Sequence, residues 1–150
     1  MELNGTRAIP ANRDLVWVCL NDPEVLRVCI PGCEELSGNA EEGFEAIVKQ
    51  KIGPVQATFR ANVRLSDVNP PEGYVISGEG KGGMAGFANG NARVSLVDVG
   101  ETTELSFTVN AQVGGKIAQL GSRLIDGFAR KLSDQFFDSF QVQVENRVHA

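Results

Sequence analysis

From Thr103 to Val144 the chain reads TELSFTVNAQVGGKIAQLGSRLIDGFARKLSDQFFDSFQVQV, and its hydrophobic period changes part-way along. Up to Val113, Thr103, Leu105, Phe107, Val109, Ala111 and Val113 alternate with Glu104, Ser106, Thr108, Asn110 and Gln112. Such a period of two is a strand with one dry and one wet face. Gly114-Gly115 breaks it. Beyond, Leu120, Leu124, Phe128, Leu132, Phe136, Phe140 and Val144 recur at steps of four, and Ile117, Ile125 and Phe137 widen the stripe. Each step of four overshoots a full helical turn by about 40°, so the stripe winds around a helix of about 30 residues, some 45 Å long. A winding stripe suits a helix wrapped by a twisted sheet. Gly121 and Gly127 fall inside this helix, which predicts either close packing against a strand or space for a ligand.

Working outward, Val55, Ala57, Phe59, Ala61, Val63 and Leu65 alternate with polar residues in the same way, and they predict another half-buried strand. Strands are also predicted over Glu2–Ile9, Phe44–Ile52, Tyr74–Ser77 and Ala92–Val97, with turns at Gly53-Pro54 and Asn69–Gly73. After the first strand, Asn12 is placed to cap one short helix. Asp22 followed by Pro23 and Glu24 starts a second, closed by Pro31-Gly32. The expected fold is α+β. A curved antiparallel sheet of about six to seven strands wraps around a long C-terminal helix in a helix-grip arrangement, as a single domain over residues 1–150. Glycines between Gly78 and Gly90 are expected to bend long strands.

Composition narrows the function. A net charge of −5 and a pI near 4.9 argue against a broad nucleic-acid footprint. The opening MELNGTRAI lacks the pattern of a signal peptide, and no apolar run reaches membrane-spanning length. Cys19, Cys29 and Cys33 are then expected as reduced thiols of a cytoplasmic protein. They lack the complete ligand set of a metal site, so no metal and no cofactor is expected. His149, the one histidine, stands beside the last residue, and the acidic residues read as caps, turns or solvated positions. No catalytic residue is therefore assigned. Gly78-Glu79-Gly80-Lys81-Gly82-Gly83 matches a dinucleotide fingerprint in letters only, because no helix follows it. Gly114-Gly115-Lys116 lacks the remainder of a phosphate loop and reads as a strand-to-helix hinge.

Trp17, Phe44, Phe59, Met84, Phe87, Phe107, Leu124 and Phe128 are the candidate ligand-binding residues, placed between sheet and helix. Each alone reads as ordinary core. Together with small residues on the dry faces (Ala57, Ala61, Ala111, Gly121) they outline an apolar cavity.

Four stretches carry a family resemblance. They are Val16-Trp17 with Leu20-Asn21-Asp22-Pro23-Glu24-Val25-Leu26; Cys29-Ile30-Pro31-Gly32-Cys33; Gly78-Glu79-Gly80-Lys81-Gly82 with Gly86 and Gly90; and Gly114-Gly115-Lys116-Ile117-Ala118-Gln119-Leu120-Gly121, followed by Phe136-Phe137. In order and spacing the chain resembles the carbon monoxide dehydrogenase G-subunit family. That family lies within the START-like and polyketide-cyclase-like (SRPBCC) superfamily. The resemblance implies a deep apolar cavity and a non-catalytic accessory role beside a molybdenum hydroxylase. Its implied apolar small molecule is a lipid or quinone, with peripheral contact at the inner membrane face. Two other readings stay open: a polyketide-cyclase-like enzyme using the same cavity, and a docking module without ligand. An inward-facing Lys49, Gln50 or Tyr74 would favour the enzyme, whereas Arg60 and Arg64 belong to the wet face of their strand.

Overall fold

A computed structural model describes residues 1–149. The elements run β1 (Glu2–Ile9), α1 (Arg13–Leu20), α2 (Pro23–Cys29), β2 (Cys33–Asn39), β3 (Gly43–Ile52), β4 (Val55–Asn69), β5 (Gly73–Lys81), β6 (Phe87–Val99), β7 (Thr102–Gly114) and α3 (Ser122–Val148). The strands form one seven-stranded antiparallel sheet in the order β1-β7-β6-β5-β4-β3-β2. Hairpins join β2 through β7, so each strand pairs with its sequence neighbour, and β1 closes onto β7. This is the α+β helix-grip architecture that the change of period predicts.

The short helices start where their caps direct. The Asn12 side chain accepts from the Leu15 amide at 2.9 Å, and that of Asp22 from the Glu24 amide at 2.9 Å. Both helices pack over one end of the sheet, against the C-terminal half of α3. Ile9, Val16, Cys19, Leu105, Phe140 and Val144 are fully buried there. Thr103 is buried with them and donates to the Ala11 carbonyl at 2.8 Å, which satisfies its hydroxyl. Arg7 of β1 reaches Asp138 of α3 at 3.1 Å and Asp134 at 3.7 Å. Arg147, near the end of α3, pairs with Asp22, the N-cap of α2.

Three elements differ from the reading of the sequence. Strand β2 had no counterpart there. It is a mostly exposed edge strand with a register shift between Cys33 and Glu35, so its alternation is too weak to read. The glycine-rich segment is a regular hairpin rather than a set of bends. Gly78 pairs with Gly90 and Gly80 with Ala88, and a short 3-10 turn over Gly83–Ala85 joins β5 to β6. The long helix begins later than the stripe suggests. Lys116–Leu120 form a 3-10 turn, and Gly121, with φ +91°, reverses the chain before Ser122. Ile117 and Leu120 keep the apolar stripe but belong to that turn. Neither Gly121 nor Gly127 packs closely, because a side chain on either would meet nothing within 4 Å.

Candidate functional site

The register of the sheet decides which residues face α3. Ala46 pairs with Ala61, Ala61 with Gly80, Gly80 with Ala88 and Ala88 with Val113. The adjacent row aligns Val63, Gly78, Gly90 and Ala111. Two neighbouring rows thus carry mainly alanine and glycine where a packed core would carry leucine and phenylalanine. Small residues facing a helix leave unfilled volume, and the lack of polar partners keeps such a space dry.

The space is a cavity of about 240 Å³ between the sheet and the N-terminal half of α3. Helix α3 contributes Ile125, Phe128, Ala129 and Leu132, which share one face at steps of one, three and four. Val48, Gln50 and Ile52 of β3, Phe59 of β4, Gly80, Ala88, Ala111, Val113 and Ile117 complete the wall together with Met1. The Met1 amine is tied to the Ala111 carbonyl at 2.9 Å. A second, smaller core of Ile52, Val55, Ala85 and Ile117 closes the space toward the β5–β6 turn.

No ionisable side chain lines the cavity. Its one polar side chain, Gln50, contributes its stem, because the amide nitrogen donates to the Pro31 carbonyl at 2.5 Å. Tyr74 also faces the helix side. It is buried in the larger core with the Trp17 ring edge-on at 5.3 Å, and burial raises its pKa above the usual tyrosine value. Lys49 points outward to Glu34 at 3.4 Å, and Arg60 and Arg64 are exposed on the outer face. Burial pushes the Cys29 thiol up to about 11 and raises Cys19 as well, so both stay protonated near neutrality. Among the described residues no three His, Cys, Asp or Glu side chains gather to hold a metal. A wider hollow of about 840 Å³ lies on the outer face between Asn62, Arg64, Ser77, Glu79, Asn89 and Asn91. It opens to water.

The residues singled out in the sequence separate into three groups. Phe59 and Phe128 line the cavity. Trp17, Phe44 and Phe107 face the helix side but belong to packed regions. Phe44 is buried opposite Val63, and Phe107 stacks on Phe137 at 5.1 Å. Met84, Phe87 and Leu124 are exposed, at 96%, 44% and 38%. Phe87 pairs with Lys81 and Gly114, in the row that holds Arg60, so it lies on the outer face, its ring over Gly114. Met84 occupies the tip of the β5–β6 turn, and Leu124 rests beside Gly53 at the edge of the cavity end. Sequence reasoning missed most of the wall because its members are alanines, glycines and aliphatic residues. The alternation of β7 and the helical spacing of Ile125, Phe128 and Leu132 were the available signals.

The fold and this cavity can be set beside known proteins. A conserved protein from Geobacillus kaustophilus has a solved structure that superposes with a TM-score of 0.91 at 32% identity, covering 97% of this chain and 96% of that one. The Zhui aromatase/cyclase from Streptomyces sp. R1128 superposes at 0.71 with 14% identity, covering 99% and 95%. A START superfamily protein from Mycobacterium smegmatis does so at 0.71 with 14% identity, covering 97% of each. At such identities the last two are similar in fold alone. No curated protein matches the sequence. The sequence profile of the carbon monoxide dehydrogenase G-subunit family (CoxG) matches residues 5–145, nearly the whole span from β1 to the end of α3. With the period change, the paired short helices and the helix-grip sheet all falling inside that match, the chain belongs to the CoxG family, the G-subunit family of carbon monoxide dehydrogenase.

Proposed function

We propose that the chain is a non-catalytic accessory protein that holds an apolar ligand, a lipid or a quinone, between its sheet and the N-terminal half of α3. The observation that carries this reading is the apolar cavity of about 240 Å³ with no ionisable side chain in its wall. Ligand pockets usually span about 300–1,000 Å³. The space suits one ring with a short isoprenoid stretch, and a longer tail would have to leave past Met1 or part the small core around Ile117. Binding would draw on apolar area, at about 25 cal/mol per Å² before ordering costs. Family membership supports service to a molybdenum hydroxylase.

The test is native mass spectrometry of the purified protein, then organic extraction. A stoichiometric quinone or lipid supports the carrier. A clean apo mass, with no thermal shift on adding quinones or lipids, refutes it.

The second reading is a polyketide-cyclase-like enzyme, favoured by the inward orientation of Gln50 and Tyr74. Against it stand the tie from Gln50 to Pro31 and the packing of Tyr74 against Trp17. Turnover of a poly-β-ketone analogue that is lost in Gln50→Leu or Tyr74→Phe would establish it.

A further inference from the structure

The cavity beside α3 has one chemical character throughout and one open flank. Every atom that its wall turns to the space is apolar. The strand backbones around it are committed to the ladder, and the Gln50 amide nitrogen is committed to Pro31. No buried side-chain oxygen or nitrogen among the described residues lacks a partner, so none waits for a ligand. A carbonyl, hydroxyl or charge moved inside would lose its hydrogen bonds to water and find no others. On the β3 side the space is shut. Strand β2 stops pairing at Val48, and the Pro31-Gly32 turn takes its place, with the Lys49 amide donating to the Gly32 carbonyl at 2.9 Å. On the β1 side, Met1 meets Ala111 and is 37% exposed, and Val113 has no strand beyond it among the described residues. Gly127 precedes Asp134 and Asp138 by seven and eleven residues and shares their face of α3, the one that Arg7 of β1 meets. A side chain at Gly127 would meet nothing within 4 Å, and Ile125, Phe128 and Ala129 beside it are only half-buried although they line the cavity.

We propose that the cavity takes its ligand tail-first: a linear hydrocarbon chain enters between Gly127 and Met1, and the polar head stays outside at that window. This rests on the carrier reading and selects within it. The ligand is a single-chain amphiphile, recognised by its chain and not by its head. An apolar cavity of about 150 Å³ accepts benzene, so about 240 Å³ holds about ten carbon atoms. The volume alone would admit a ring, but the carbonyls of a quinone ring find no donor in this wall. A quinone would therefore sit with its isoprenoid end inside and its ring outside, where a second protein can reach the ring without release of the chain.

Calorimetric titration of the full chain tests this with straight-chain alcohols of increasing length, with decylubiquinone, and with the same quinone ring lacking its chain. Affinity should rise about fourfold per added methylene. It should level off near about ten carbons, once further carbons stay in water. The chainless ring should bind about a hundredfold or more weaker than decylubiquinone. Decanediol with a hydroxyl at each end should not bind, because one hydroxyl would have to enter the wall. Gly127→Leu, at an uncrowded position, should slow the association of decylubiquinone about tenfold or more in stopped flow without lowering the melting temperature. Equal affinity of ring and decyl derivative, tight binding of the diol, or a length series without a plateau would overturn the tail-first orientation and leave the carrier reading intact. Unchanged association in Gly127→Leu would overturn the window. Failure of every probe to bind would overturn both the orientation and the carrier reading.

Discussion

The two halves of α3 face the same sheet and are packed in different ways. The C-terminal half lies against β1, β7, α1 and α2 with Phe140 and Val144 fully buried, and the ion pairs Arg7–Asp138 and Arg147–Asp22 tie it to β1 and to the start of α2. The N-terminal half faces rows of alanine and glycine, is preceded by a glycine-hinged 3-10 turn, and has no side-chain cap. One half of the helix supplies fold stability and the other encloses space. The contrast teaches that a single amphipathic helix can serve both purposes when the opposing strands, and not the helix, change their residue sizes.

The largest test of this contrast is a matched pair of truncations. Phe140→Ala should cost about 3–5 kcal/mol in denaturant unfolding. Phe128→Ala, at the cavity, should cost less than half of that, because its ring already borders empty volume. Equal costs would remove the distinction between the halves.

Filling the space sharpens it further. Ala88→Leu adds three carbons where the wall is open, so stability should change by no more than about 1 kcal/mol in either direction. Uptake of an apolar fluorescent probe, titrated by fluorescence, should be lost. Retained uptake would place the probe outside the cavity.

A smaller effect separates the two glycines of the N-terminal half. Gly127→Ala sits inside a helix with open space around it and should stabilise by up to about 1 kcal/mol. Gly121→Ala must adopt φ near +91° and should destabilise by about 1 kcal/mol. Thermal melts of both variants check the sign.

The smallest effect belongs to the clasp at the other half. The Arg147 guanidinium hydrogen-bonded to Asp22 lowers the carboxyl pKa, and burial opposes this. A depressed folded-state pKa gives stability that is present above the unfolded value near 4 and is lost as pH falls through the folded value. Both side chains are partly exposed, so the contribution should stay below about 1 kcal/mol. Asp22→Asn should flatten the loss of stability below about pH 4, read from unfolding curves across acid pH.

Much of the fold was legible because local periodicity follows from backbone geometry. The strict alternation of Val55–Leu65 and Thr103–Val113 specified strands with a dry face, and the step of four after Gly115 specified the helix. Asn12 and Asp22-Pro23 marked two helix starts. Strand β2 escaped because an exposed edge carries little alternation. Phe87 and Met84 were placed wrongly between sheet and helix because glycines on both sides of their turn erase the phase. Only the pairing of Phe87 with Lys81 and Gly114 reveals that the ring faces outward.

The sequence by itself therefore determined the classes of element, their order, their caps and the apolar character of the helix-facing side. The tertiary structure alone decided where that side is full and where it is empty. Ala46, Ala61, Gly80 and Ala88 belong to four different strands and become one row only through hydrogen-bonded register. A cavity is volume left between residues distant in the chain, and no local pattern encodes it.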